Sequence, residues 1–227
     1  MNKHNLEPVD RQLRELQDEG FTIQRQFNYN TMREFVTQEL EVPTTLTRSF
    51  SMMMMFFLGV LTAIAAYAGF SESISIFTFL LWLFAGAAVV LPLITIHEWI
   101  HGIFFKMYGA EKVRYKVLPK KLMAMAIVHG QAFKPKPMIR VALAPLIILG
   151  AISVALMIFL PQPWNFAAAG FFVFHTMCCG GDIAVVNYIL RNKDSELLFL
   201  DDMVTEQSYI LIRSTDNEPE SNAASTD

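Results

Sequence analysis

Charged residues are scarce in this chain and are missing from long parts of it. Only 17% of the 227 residues are charged, whereas 53% are hydrophobic, including 19 Phe and 13 Met. Lys and Arg are absent from residues 49–105. With a mean hydropathy of +0.36, this composition is unusual for a soluble domain and predicts a membrane protein. We expect membrane lipid as a partner and no nucleic acid.

Four apolar stretches are long enough to cross a bilayer as helices, at about residues 50–70, 74–105, 141–160 and 164–190. A short polar break at residues 71–73 separates the first two, and Pro161-Gln162-Pro163 separates the last two. The sequence therefore predicts an all-α membrane protein with about four transmembrane helices.

The basic residues predict the orientation of these helices, because Lys and Arg collect in short cytoplasmic loops. Six lie before the first span, nine between the second and third, and three after the fourth, which accounts for all 18. We therefore expect a multi-pass protein of the cell membrane with both termini and the central loop in the cytoplasm.

The four spans form one membrane domain, residues 49–193, and we expect three smaller regions outside it. Residues 1–48 are predicted to form a cytoplasmic N-terminal cap, with one helix near residues 8–19 and a second that opens with a capping box at Thr31 to Glu34. Residues 194–213 form a cytoplasmic C-terminal segment, and residues 214–227 a disordered acidic tail.

The central loop contains two strand-like runs, Val113 to Val117 and Leu122 to Val128. They favour a small β-hairpin, whose edge could accept an extended peptide as an added strand. A basic loop resting on anionic lipid is an equally good interpretation.

The second apolar stretch contains His97-Glu98-Trp99-Ile100-His101, an H-E-x-x-H motif. Two imidazoles four residues apart share one helix face and can hold one Zn²⁺, while Glu98 can act as general base toward a water that the metal activates. Because His and Glu are costly in a lipid-facing helix, such a cluster indicates a functional site.

The topology indicates a third ligand. His97 lies nine residues before Lys106, and Asp182 lies nine residues before Arg191, in spans that run in the same direction. Both residues should therefore be at the same depth, about 13 Å above the flanking charge. In a straight helix His175 would lie about 10 Å further from the cytoplasm than Asp182, too far to bind the same ion. We therefore expect His175 to form a hydrogen bond between helices.

The depth of the motif sets a constraint, because His97 lies 23 residues after Ile74, which is about 34 Å of helix and already a full hydrocarbon thickness. The second span must tilt, bend at Pro92, or place the motif near the inner boundary. We favour a site in the inner leaflet that is wetted from the cytoplasm.

Small residues surround the predicted ligands. Gly180 and Gly181 before Asp182, and Gly102 after His101, would allow helices to approach closely. Cys178 and Cys179 are the only cysteines, and their cytoplasm-facing span argues against a structural disulfide. A thiolate could bind zinc as a carboxylate does, although packing is the usual role of a membrane cysteine.

These motifs resemble a known family. The segment His97 to Lys106, the run Val113 to Val117, the stretch Ala144 to Ile147 and Gly181-Asp182 resemble the putative zincin peptidases, a family of bacterial integral-membrane proteins. The plan is also similar to that of site-2 intramembrane metalloproteases, although their third ligand usually lies in an Asp-Gly context with nearby Asn and Pro. The resemblance covers roughly residues 50–212.

The resemblance implies His97, His101 and Asp182 as Zn²⁺ ligands and Glu98 as catalytic base, in agreement with the depth of Asp182. The leading hypothesis is a zinc-dependent, membrane-embedded peptidase that acts on a polypeptide, with membrane proteins among the candidates, near the cytoplasmic side. The alternatives are a non-proteolytic metal-binding regulator or scaffold, and a proton or ion pathway. The oligomeric state stays open.

Overall fold

The structure is a computed structural model that describes residues 8–70, 75–118 and 123–213. Within these ranges the chain is mostly helical. Its elements in order are α1 (Pro8–Asp18), β1 (Thr22–Asn28), α2 (Met32–Glu41), α3 (Thr45–Phe70), α4 (Ile76–Met107), β2 (Val113–Leu118), β3 (Met123–Val128), α5 (Pro135–Phe159), α6 (Trp164–Cys178), α7 (Gly180–Arg191), β4 (Glu196–Asp202) and β5 (Gln207–Arg213). The predicted break at residues 71–73 and the predicted acidic tail, residues 214–227, lie outside the described residues.

Three helices, α3, α4 and α5, are long and apolar enough to cross a membrane. Many of their large apolar side chains face outward, including Phe56, Phe84 and Ile147. The fourth predicted span, residues 164–190, differs from the prediction of one continuous helix: it is divided into α6 and α7, which are bent by 44°. The bend occurs at Cys179, directly before two glycines, which are poor helix formers.

Helices α4 and α6 cross at two glycines. A Cβ added to Gly86 would lie 1.8 Å from the Ala167 carbonyl oxygen, and one added to Gly170 would lie 2.0 Å from the Leu83 carbonyl oxygen. The contact is therefore backbone against backbone from both sides. Because only a residue without a side chain fits at either position, these glycines set the separation of the two helices.

Beside the helices lies a three-stranded antiparallel sheet of order β1-β5-β4, which the all-α prediction missed. Helix α1 covers one face, and α2 and α7 cover the other. The core between α1 and the first face contains Val9, Leu13, Leu16, Phe21, Leu198, Leu200 and Leu211. The core between the second face and helices α2 and α7 contains Phe35, Tyr188, Ile189, Leu197, Phe199 and Ile210. Alternate residues of β4 thus enter opposite cores, as the period of a strand requires.

The sheet joins the two ends of the described chain. Thr22 in β1 pairs with Ile212 in β5, so strands from residues 1–48 and from residues 194–213 share one sheet. Helix α2 is present where the capping box predicted a helix, but the Thr31 hydroxyl donates to the Asn28 carbonyl and does not cap the helix.

The predicted hairpin in the central loop is confirmed. Strands β2 and β3 pair antiparallel from Val113 with Val128 to Leu118 with Met123, and residues 119–122 lie outside the described residues. After β3, His129 bridges to Asp201 and Phe133 pairs with Phe199. The hairpin is thereby fixed to the three-stranded sheet at β4.

The glycine crossing generates a stability prediction. Gly86→Ala and Gly170→Ala should each destabilise the protein by about 1–3 kcal/mol or more, because the added methyl group meets backbone that cannot rotate away. Thermal unfolding in detergent measures the effect. Gly59→Ala in α3 is the matched control, because nothing lies within 4 Å of its added Cβ. Equal melting temperatures for all three variants would contradict the proposed role of the crossing.

Candidate metal centre

The last three turns of α4 place the H-E-x-x-H motif inside the protein. His97, Glu98 and His101 are 3%, 7% and 7% exposed, whereas Trp99 between them is 60% exposed. The inward face continues with Ile100 and Phe105 at helical spacing. The polar side chains of the motif are therefore part of the buried face of the helix, and its apolar Trp is outside.

The structure brings the three predicted metal ligands together. The Nε2 atoms of His97 and His101 are 3.0 Å apart. Asp182 Oδ2 lies 3.4 Å from His97 Nε2, and Asp182 Oδ1 lies 3.2 Å from His101 Nε2. Asp182 reaches this position because it lies in the first turn of α7, immediately after the bend.

These distances fit a metal ion. Zinc binds imidazole nitrogen and carboxylate oxygen at about 2.0–2.2 Å, so two ligand atoms of a tetrahedral site are about 3.4 Å apart. The three observed separations, 3.0, 3.2 and 3.4 Å, lie close to that value. Two imidazoles and one carboxylate also leave a fourth position open, as catalytic zinc sites do.

A neighbouring carbonyl fixes the ring of His101. Its Nδ1 lies 2.9 Å from the Val141 carbonyl oxygen in α5, and because a carbonyl can only accept, Nδ1 carries the proton. The Nε2 atom of the neutral ring then presents its lone pair to His97 and Asp182. Such an outer hydrogen bond is typical of histidines that bind metals.

His97 has a histidine as its second partner. Its Nδ1 lies 3.1 Å from Nε2 of His175 in α6. This is the bond between helices that the depth of His175 favoured. Nothing in the residue spacing indicated that its partner would be a predicted metal ligand.

Glu98 lies beside the two histidines. One oxygen of its carboxylate and a nitrogen of each ring are within 4.8 Å of one another. The backbone amide of Ala126 in β3 also interacts with this carboxylate. The predicted base is thus held between the motif helix and the hairpin.

The glycines near the ligands have roles other than those predicted. A Cβ on Gly102 would lie 2.1 Å from the Tyr115 hydroxyl, so this glycine accommodates a hairpin side chain and not a helix. Gly180 and Gly181 have only ordinary contacts, with α2. The close approach between helices that was predicted at these glycines is made by Gly86 and Gly170 instead. The Tyr115 hydroxyl beside Gly102 is also close to Glu98, and burial together with the Glu98 charge raises the pKa of Tyr115.

A cavity of about 500 Å³ leads to the site. It is lined mainly by apolar residues from segments far apart in the sequence. Five methionines contribute, namely Met32, Met123, Met125, Met138 and Met177. Arg33 and Asp201 add charged groups at its wall. Sequence reasoning missed these residues, because they come from elements far apart in the chain, and Arg33 and Asp201 approach the site through helix α2 and strand β4, which belong with the unpredicted sheet.

Asp201 generates a pH prediction. Burial raises its pKa to about 6 from an ordinary value of 3.8, and the hydrogen bond donated by Ser208 acts in the opposite direction. Its contribution to stability is therefore complete below pH 3.8 and is lost as the pH rises through about 6. Asp201→Asn should stabilise the protein by about 1–3 kcal/mol at pH 8 and have little effect near pH 4. Thermal unfolding against pH measures this difference.

Ser208→Ala provides the control for Asp201. Removing the donor should raise the pKa of Asp201 further, so wild type and Ser208→Ala should diverge most above pH 6. A stabilisation by Asp201→Asn that is the same at pH 4 and pH 8 would show that the carboxyl does not titrate as described.

The chain matches one family of known proteins. Residues 90–197 match the model of a family described as "Putative zincin peptidase". The match begins within α4 and ends in β4, so it contains His97, Glu98, His101 and Asp182. It confirms the family resemblance over these residues, and a zincin family implies a bound metal. No curated protein and no solved structure matches the chain.

Proposed function

We propose that this chain, whose residues 90–197 match the model of the family described as "Putative zincin peptidase", is a zinc-dependent peptidase embedded in the membrane. Its site would lie near the cytoplasmic side. The observation that carries the proposal is the convergence of His97 Nε2, His101 Nε2 and the Asp182 carboxylate within 3.4 Å of one another, with Glu98 adjacent.

The length of α4 supports this position in the membrane. The helix has 32 residues, about 48 Å, and His97 lies 21 residues after its start, about 32 Å. A bilayer core is about 30 Å thick, so the motif would lie at its inner boundary. The hairpin and the three-stranded sheet would then be in the cytoplasm, together with both termini, in agreement with the distribution of basic residues.

The side chains have separate roles in the proposed reaction. His97, His101 and Asp182 would hold Zn²⁺, which supplies the Lewis acidity that activates water and polarises a peptide carbonyl. Glu98 takes the proton from the attacking water and passes it to the leaving amine. The Val141 carbonyl keeps the His101 lone pair directed at the site.

The hairpin supports an extended peptide as substrate. Strand β3 pairs with β2 along one edge, and Met123 to Ala126 of β3 line the cavity. A peptide added along the other edge of β3 would pass Glu98, which interacts with the Ala126 amide. Methionines around the cavity can adapt to different apolar side chains, which favours a substrate with an apolar segment.

The ligand assignment generates a metal-binding prediction. His101→Ala and Asp182→Ala should each remove one of the three protein ligands and weaken zinc binding at this site by at least about 100-fold. Zinc affinity of the purified protein, measured by competition with a chelator, tests this. His129→Ala is the control, because His129 is a histidine outside the site and should leave the affinity unchanged. Unchanged zinc affinity in Asp182→Ala would remove Asp182 from the ligand set.

The role of Glu98 generates an activity prediction. Glu98→Gln should retain zinc and reduce peptide cleavage by about 10²–10⁴-fold, because the amide cannot accept the proton. Metal content and cleavage of an apolar reporter polypeptide are measured on the same preparation. Glu111→Gln changes an exposed acidic residue and should leave both unchanged. Full activity of Glu98→Gln would exclude the mechanism.

The same preparations test the alternative function. A wild-type protein that binds zinc and a polypeptide, but cleaves none, would support a metal-binding regulator or scaffold. Trapping of bound polypeptides by Glu98→Gln from the native membrane provides the candidates for both assays.

A further inference from the structure

The ring of His97 has polar partners on both sides. Its Nε2 faces His101 and Asp182, and its Nδ1 faces His175 Nε2 at 3.1 Å. Behind His175, the Cys179 sulfur lies 3.8 Å from the same Nε2. His97, His175 and Cys179 are 3%, 2% and 0% exposed. A second group of ligand-type atoms thus lies directly beside the predicted zinc site.

We propose that His97 Nδ1, His175 Nε2 and Cys179 Sγ form a second metal position that binds a thiophilic ion such as Zn²⁺, Co²⁺ or Cd²⁺. One ligand-type atom from each of the three residues lies within 4.8 Å of the other two, and the direct contacts are 3.1 Å from His97 Nδ1 to His175 Nε2 and 3.8 Å from His175 Nε2 to Cys179 Sγ. Two imidazole nitrogens and a thiolate are a ligand set that zinc and its substitutes accept. Binding displaces the thiol proton of Cys179 and the Nδ1 proton of His97 to solvent.

The orientation of His175 supports this assignment. Its ring is stacked on Phe171, with an interplanar angle of 10°, and its Nε2 lies between His97 Nδ1 and Cys179 Sγ. Its Nδ1 is buried and has no hydrogen-bond partner in the described part of the chain. The ring therefore leaves one polar atom unsatisfied while the other is held between His97 and Cys179. The ring orientation thus makes Nε2, and not Nδ1, the atom that contacts His97 and Cys179, and a metal ion bound at Nε2 would fix the proton of the neutral ring on Nδ1.

The position of the ligands gives the second ion a structural role. His97 belongs to α4, His175 to the last turn of α6, and Cys179 is the residue at which α6 and α7 bend. An ion held by all three would tie the bend to α4. Since Asp182 follows Cys179 by three residues, the same ion would fix the carboxylate of the first site. The second position requires no peptidase activity.

A cobalt titration of the full-length metal-free protein in detergent tests the proposal. Wild type should bind two equivalents of Co²⁺, and one should produce a thiolate-to-cobalt charge-transfer band in the near ultraviolet. The nitrogen and oxygen ligands of the first site cannot produce this band. Cys179→Ser should lose the band and one equivalent. Cys178→Ser is the matched control, since the Cys178 side chain is exposed, and should keep both.

The first site can be removed independently. Asp182→Ala should lose the other equivalent and retain the charge-transfer band, because all three ligands of the second position remain. A failure of the peptidase proposal would leave this band unchanged, so the two proposals fail separately.

The wild-type titration alone tests whether the second metal position exists, even if a variant does not fold. A single equivalent of Co²⁺ without a sulfur band would show that Cys179, His175 and His97 form only a hydrogen-bonded cluster. A band that survives in Cys179→Ser and disappears in Cys178→Ser would place the thiolate elsewhere. A band that disappears in Asp182→Ala would assign it to the first site. Each of these results overturns the second position.

Discussion

The burial of two imidazoles and two carboxylates among apolar helices is the constraint on which the rest of this structure depends. Polar groups in such surroundings are tolerated only when each has a partner, because desolvation costs several kcal/mol for an unpaired group. The Val141 carbonyl and His175 are partners of the outer ring nitrogens of His101 and His97, whereas the inner ring nitrogens and the Asp182 oxygens approach one another to 3.0–3.4 Å. A cation among the three inner atoms would complete this arrangement, which is why a metal is the natural occupant.

Two features of the helices make that convergence possible. The glycine crossing at Gly86 and Gly170 brings α6 to backbone contact with α4. The bend at Cys179 then gives α7 a different direction from α6. A straight helix over residues 164–190 could have matched the depth of His97, but it could not have set the direction of Asp182 independently of α6. Because of the bend, α6 can pack against α4 while α7 places the Asp182 carboxylate in a different direction.

The sequence predicted the parts of the site that depend on local spacing. The i, i+4 pair in α4 and the equal depth of Asp182 follow from helix geometry and from the positions of basic residues. The central hairpin followed from alternating residues. The bend could not be predicted, because Gly180 and Gly181 could equally be read as sites of close packing. The three-stranded sheet was missed because β1 is largely polar and pairs with a strand about 190 residues away.

The missed sheet has consequences for the site, because it positions α2. Helix α2 packs on α7 through Phe35 and Tyr188, and it contributes Met32, Arg33, Val36 and Leu40 to the cavity wall. Its position depends on the pairing of β1 with β5, and therefore on both ends of the described chain. The hairpin is fixed to the same sheet through Asp201 and Phe199. The sheet thus determines the relative position of the two walls between which a peptide would enter. Access to the buried histidines and Asp182 is therefore controlled outside the helices that carry them.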